Sequence, residues 1–225
     1  MSLASEKPED SHAAPVKSSK SIPAIRSSSA VVVFLLVVAV GLGCDLVSKH
    51  YVFETVLKDP ALLEQVDRLQ SDRPDTLLTT ENILHRLRPG RPLCPGVRLT
   101  LSTNPGVVFG LPMPRWAVAA STLVAIGLVF CFFATASAKA RLVHLALAMV
   151  LAGALGNFYD RLFSKVALAQ LEPICYHVRD FIDCSQLYYP WVFNVADVLL
   201  VAGSALLILH WLGERDGRSR GKTER

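Results

Sequence analysis

Hydrophobic positions in this chain gather into four long blocks rather than into the one-sided stripes of a soluble helix. The first runs from Ala30 to about Phe53 and the second from Trp116 to Ala138. The third runs from Leu142 to about Tyr159 and the fourth from Trp191 to Leu212. Each approaches the roughly 20 residues a spanning helix needs at about 1.5 Å per residue. The pattern predicts an all-α polytopic membrane protein with four transmembrane helices over residues 30–212. Residues 1–29, rich in Ser, Ala, Pro and Lys, are expected to be a disordered tail. Residues 213–225 form a short basic tail.

Between the first two blocks the period changes. Asp59-Pro60 opens an amphipathic stretch with Leu62, Leu63, Val66 and Leu69 on one face, and Ile83, Leu84 and Leu87 mark another. These faces either pack on the outer ends of the spans or lie in the lipid interface. Val97–Ser102 alternates like a strand, and Asn104-Pro-Gly106 turns the chain toward the second block. The four helices therefore carry a small extracytoplasmic β and loop element, with outer loops at about 54–115 and 161–190. No internal repeat is visible.

Composition agrees with a membrane location. Of 225 residues, 52% are hydrophobic, and the mean hydropathy of +0.39 is too high for an ordinary soluble domain of this size. The net charge of +4 reports orientation rather than nucleic-acid binding. Basic residues flank one side of the blocks: Lys17, Lys20 and Arg26, then Lys139 and Arg141, then Arg215, Arg218, Arg220, Lys222 and Arg225. That side is expected to be the cytoplasm, with both termini on it, in a multi-pass membrane protein. A cleaved signal peptide is the lesser reading of the first block, because its polar leader is long and its apolar run continues past Asp45 to Val52.

The five cysteines show no metal-binding spacing, and there is no H-E-x-x-H. No metal or cofactor is expected. Cys44 and Cys131 read as packing residues. Cys94, Cys175 and Cys184 lie outside the membrane, and spacing does not decide whether Cys175 and Cys184 are bridged. His144 and His210 read as structural.

The candidate chemistry lies in polar side chains that lipid disfavours. Asp45 and Lys49 sit in the outer part of the first block and Asn104 just before the second. Asn157, Asp160 and Arg161 close the third. Asp180 and Asp183 precede the fourth, and Asn194 and Asp197 lie at its start. All belong to the outer side, so they are expected to share one shallow polar pocket. Structural readings stand beside this one. Asp45 and Lys49, four apart, can simply pair. Asp160 can pair with Arg161, Asn104 can be a turn former, and Asp183 can be a solvated loop acid. Asp197, about two turns inside an apolar run, has the least structural excuse, since a membrane carboxylate is costly and marks a functional site by default. Two close carboxylates share one proton, the arrangement an aspartic peptidase uses on water and a scissile carbonyl. By depth alone the partner of Asp197 is Asp160. Serine chemistry is less supported: there is no G-x-S-x-G, and Ser204 with His210 is an incidental pair.

Five short motifs carry a family resemblance. Asp45-Leu-Val-Ser-Lys49, Asn104-Pro-Gly-Val-Val-Phe-Gly110, Ala152-Gly-Ala-Leu-Gly-Asn157-Phe-Tyr-Asp160-Arg161, Val178-Arg-Asp180-Phe181 and Phe193-Asn194-Val-Ala-Asp197 occur in that order. Together they resemble the lipoprotein signal peptidase (signal peptidase II) family over about residues 30–212. The resemblance implies an intramembrane aspartic endopeptidase without cofactor or metal. Its substrates would be prolipoproteins already carrying diacylglycerol on their lipobox cysteine, cut just before that cysteine. It implies Asp180 and Asp197 as the catalytic pair, with Asp183 the alternative should the register differ. It implies Asn104 and Arg161 as holding the substrate backbone and Asn157 and Asn194 as shaping the pocket. Asp45, Lys49 and Asp160 match supporting polar positions. Membrane lipids are the other expected partners, and the chain is expected to be monomeric. The stretches Lys49–Asn104 and Arg161–Asp180 are longer than the family pattern. The alternatives are a small proton-coupled carrier, which would string charges across both membrane halves, and a non-enzymatic membrane scaffold. A presenilin-type peptidase is disfavoured because its G-x-G-D is missing: Cys44 separates Gly43 from Asp45.

Overall fold

A computed structural model describes residues 22–72, 79–106 and 114–223. The tail with Lys17 and Lys20, and the Val107–Gly110 part of the second motif, lie outside them. In chain order the elements are α1 (Ser28–Leu57), α2 (Pro60–Asp72), α3 (Thr80–Leu87), β1 (Gly90–Cys94), β2 (Val97–Asn104), α4 (Arg115–Thr135) and α5 (Arg141–Phe163). Then follow β3 (Lys165–Val166), β4 (Ile174–Cys175), β5 (Val178–Asp183), β6 (Val192–Phe193) and α6 (Val195–Thr223). The helices α1, α4, α5 and α6 are each long and apolar enough to cross a membrane.

The innermost of the four is α5, whose apolar window is 56% buried against 11% to 22% for the others. Small residues make this possible, as is usual where helices pack inside a bilayer. A Cβ on Gly153 would stand 2.3 Å from the Ala196 carbonyl of α6, and one on Gly156 would stand 2.3 Å from Asp45 Oδ2 of α1. The glycines of the third motif thus let α1 and α6 close on α5 where the polar side chains meet.

At the opposite end of the bundle the chain is more ordered than its composition suggests. Residues 22–29, expected in a disordered tail, instead form a short 3-10 turn and the start of α1. Ala24 N–H donates to the Ala136 carbonyl (2.7 Å), and Ala138 N–H donates to the Ile22 carbonyl (2.8 Å). These bonds end α4 at Thr135, three residues before the second block stops being apolar. Phe34 and Phe133 stack beneath, with the His144 ring edge-on to Phe133.

The outer element is a four-stranded antiparallel sheet, order β1-β2-β5-β6, with a separate β3-β4 pair. Ser102 lies opposite Asp180, Asn104 opposite Val178 and Ile182 opposite Phe193. The two amphipathic stretches pack rather than face lipid. Leu62, Val66 and Ile83 are buried with Leu168, and Leu84 is buried with Val52, Phe53 and Val56 at the outer end of α1. All five cysteines are free, and Cys44 and Cys131 turn outward from their helices instead of packing inside.

The fourth block divides. Val192-Phe193 is drawn into the sheet by pairing with β5, so the helix begins only at Val195. Asp197 is therefore in the first turn of α6, not two turns deep. The helix then runs on to Thr223, past the end of the apolar block.

Candidate active site

The first motif builds a buried ion cluster. Lys49 Nζ lies 2.7 Å from Asp45 Oδ2 and 3.2 Å from Asp160 Oδ2, and it donates to Asn157 Oδ1 at 3.1 Å. The side chains of Lys49, Asp45 and Asp160 are all fully buried. A lone buried charge would be very costly, so the cluster must balance. Arg179 supplies the second cation. Its Nε (3.0 Å) and Nη2 (2.7 Å) donate to Asp160 Oδ1, and its backbone N–H donates to Asp160 Oδ2 at 3.0 Å. Two carboxylates and two cations cancel.

Asp45 also reaches α6. Its Oδ1 accepts the Ala196 N–H at 2.8 Å, placing a negative group on the first turn of that helix, where the free N–H groups favour it. The adjacent pair completes the helix start. Asn194 Oδ1 accepts the Asp197 N–H (3.0 Å), and Asp197 Oδ2 accepts the Asn194 N–H (3.3 Å). This reciprocal cap is the Asn/Asp form of a capping box. Asp197 therefore has a structural role that hydropathy alone does not show.

The cap and the ion cluster fix the orientation of two amides. A lysine ammonium only donates, so Asn157 must turn Oδ1 to Lys49 and Nδ2 outward. That Nδ2 donates to Asp197 Oδ1 at 2.8 Å. A backbone N–H also only donates, so Asn194 must turn Oδ1 to Asp197 N–H. Its Nδ2 then donates to Asp180 Oδ1 at 2.5 Å and to Asn157 Oδ1 at 3.1 Å. Each of Asp180 and Asp197 thus has one oxygen tied to an asparagine amide, and the two amides are tied to each other.

The two carboxyls differ in their surroundings. Asp180 is buried on β5, and burial first, then the nearby charge of Asp197, pushes its carboxyl up to about 8. Asp197 is partly open and borders an apolar cavity of about 470 Å³ lined by Phe193, Val198, Val201 and Ala202. A carboxyl pushed up in this way beside one that meets a cavity is an arrangement able to share one proton and activate water.

Asp160, the deeper acid and the partner that depth favoured, is fully engaged by Lys49 and Arg179 and is not available for this. Among the described residues it pairs with those two rather than with its neighbour Arg161. Asp183 lies at the far end of β5, where it accepts the Ser185 N–H. Asn104 closes a turn, its Oδ1 accepting the N–H of Gly106, which has φ +97°. Arg161 is half-buried, and its Nε has no hydrogen-bond partner among the described residues. It borders a second cavity, of about 460 Å³, with Trp116, Val118 and Leu162. Sequence reasoning missed Arg179. The available signal was strand alternation, which puts residues 179 and 181 on the face opposite Asp180.

Several known proteins are similar to this chain. A lipoprotein signal peptidase of Caulobacter vibrioides is 35% identical over 138 residues, covering 59% of this chain and 74% of that protein. One from Clostridium acetobutylicum is 31% identical over 125 residues, covering 55% and 75%. A bacterial membrane enzyme solved by the in meso method at 2.3 Å resolution has the same fold, with a TM-score of 0.59 at 21% identity, covering 83% of this chain and 92% of that one. The family model described as signal peptidase (SPase) II matches residues 36–213. That match begins inside α1 and ends inside α6, so it takes in every side chain of the polar network, and the chain belongs to the signal peptidase II family.

Proposed function

We propose that Asp180 and Asp197 are the catalytic pair with which this aspartic peptidase removes the signal peptide from diacylglyceryl-modified prolipoproteins, cutting before the lipidated cysteine. The observation that carries the reading is the asparagine-linked pair itself: Asn157 donates to Asp197 and Asn194 donates to Asp180. In the free enzyme the pair holds one proton, on Asp180. Asp197 takes a proton from the attacking water as its oxygen bonds the scissile carbonyl carbon, and Asp180 donates its hydrogen bond to the carbonyl oxygen. On collapse the C–N bond breaks, and the proton taken from water passes to the cysteine amine that leaves.

Asn157 and Asn194 keep both carboxylates aimed, and Lys49 keeps Asn157 from turning over. Arg161 and Asn104 flank the site as substrate-backbone donors. Both termini are assigned to the cytoplasm and the site to the outer face. Support comes from Arg26, Lys139, Arg141 and Arg215, which sit at the bundle end away from the polar network. Among the described residues of the spans, the buried polar side chains Asp45, Lys49, Asn157 and Asp160 lie at the site end, and His144 is the one at the other. A carrier needs charges along both halves, so this distribution favours the peptidase.

The test is processing of a lipid-modified prolipoprotein by Asp180→Asn, Asp197→Asn and Asp183→Asn. The first two are expected to accumulate in the membrane with activity lowered on the order of 10⁴-fold or more. Asp183→Asn is expected to stay active. Undiminished cleavage by either of the first two would remove the pair.

A further inference from the structure

The two stretches longer than the family pattern, Lys49–Asn104 and Arg161–Asp180, meet in space. Leu168, fully buried between β3 and β4, packs with Leu62 and Val66 of α2 and Ile83 of α3. One layer further in, Leu84 of α3 is buried with Leu101 of β2 and Phe181 of β5. Arg91 of β1 holds Asp59, just before α2, at 2.8 Å and so ties the base of this unit to the sheet.

This unit packs on β2, the strand that pairs along the one bearing Asp180. Successive strand residues point to opposite faces. Asp180 meets Asn194 on one face. On the other, Arg179 is held by Asp160 and lies over the Phe53 ring, and Phe181 enters the cluster with Leu84. Toward the free edge of the sheet, β5 pairs with the two-residue β6. Behind Asp180, β5 is backed directly by α1 and α5, and α3 reaches it through β2 and the buried cluster of Leu84, Leu101 and Phe181.

We propose that α3 is a positioning element for the peptidase site, with Leu84 acting through the cluster it shares with Leu101 and Phe181 to set how far Asp180 projects toward Asn194 and Asp197. Leu84 touches no reacting atom, so its role is positioning. This rests on the reading of Asp180 as one of the catalytic pair.

The experiment compares full-length Leu84→Ala with Leu168→Ala, a truncation of the same size one layer further out, on a lipidated prolipoprotein in bilayers. Both are expected to lower the melting temperature. Only Leu84→Ala is expected to lower kcat per folded enzyme, on the order of ten- to a hundredfold as for a displaced catalytic group, with KM nearly unchanged. Its high-pH activity limb should lie below that of the parent enzyme measured alongside, as water reaches a less firmly seated Asp180 carboxyl. Leu84→Met should restore kcat and the limb, and the exposed Asn82→Ala should change neither. Should Leu84→Ala fail to accumulate, Leu84→Val is read in the same way. Equal kcat per folded enzyme and an unmoved limb in the two alanine variants would overturn the role of α3. Activity retained in Asp180→Asn would instead overturn the reading of the pair.

Discussion

Replacing Lys49 by Met removes one of two cations from a cluster whose lysine and two aspartates have no contact with solvent. Met has nearly the shape of the lysine stem, so packing is kept while charge is lost. Asp160 retains Arg179, but Asp45 retains only the Ala196 N–H on Oδ1, and its Oδ2 has no other hydrogen-bond partner among the described residues. Breaking a buried ion pair from one side costs about 3–5 kcal/mol, because the abandoned charge stays desolvated. At about 2–4 °C per kcal/mol for a chain of this size, the melting temperature should fall by roughly 6–20 °C. Activity should fall as well, on the order of a hundredfold, because Asn157 loses one of the two donors that fix its amide, keeping only Asn194 Nδ2, and the aim of Asp197 loosens. Asp45→Asn/Lys49→Met removes both charges and leaves the Asp160–Arg179 pair neutral. It should recover most of the stability but not the activity. The assay is thermal unfolding of purified protein beside prolipoprotein cleavage. A Lys49→Met protein that melts within the shift of one kcal/mol of the parent and cleaves normally would refute the ion-cluster argument.

Four further outcomes follow from the same geometry. With Asp180 pushed up to about 8, cleavage should decline above pH 8 as the shared proton is lost, and a pH–rate profile flat through pH 9 would contradict this. Stability carries the matching sign: between the ordinary carboxyl value near 4 and about 8 the folded state holds a proton that the unfolded state lacks, so unfolding measured across that window should become easier as pH rises. Gly156→Ala should abolish activity and lower the melting temperature, because its Cβ meets Asp45 Oδ2 at 2.3 Å in a fully buried site; normal activity would show that α1 and α5 can separate freely. Asn194→Ala should lose about 1 kcal/mol of helix capping and most of its kcat, since the same side chain orients Asp180; unfolding and turnover measured on one preparation separate the two losses.

Much of the architecture was legible because lipid imposes a simple requirement on sequence. A span must be long and apolar, and the four blocks lie within the four long helices to a few residues, apart from the start of the last. The strand at Val97 and the amphipathic faces around Leu62 and Ile83 were legible for a similar reason, since each buries one face. The misreadings occur where an apolar run changes partners. Val192-Phe193 is as apolar as the helix that follows, and only pairing with β5 separates them. Cys44 and Cys131 were read as packing residues because hydropathy cannot tell a helix face turned to lipid from one turned to protein.

The sequence by itself determined that this is a four-span protein with acids, asparagines and a lysine confined to one end, because the cost of polar groups in lipid leaves a mark at every position where they occur. The motif order supplied the likeness to a peptidase family. Only the tertiary structure decided which acids are neutralised by cations and which two stand together. Asp160 is the deeper acid, yet Lys49 and Arg179 from two other elements neutralise it, while Asp180 lies outside the spans and is buried beside Asp197 by the fold. Charge compensation depends on atoms within about 3 Å that are far apart in the chain, and spacing along a sequence carries no record of that.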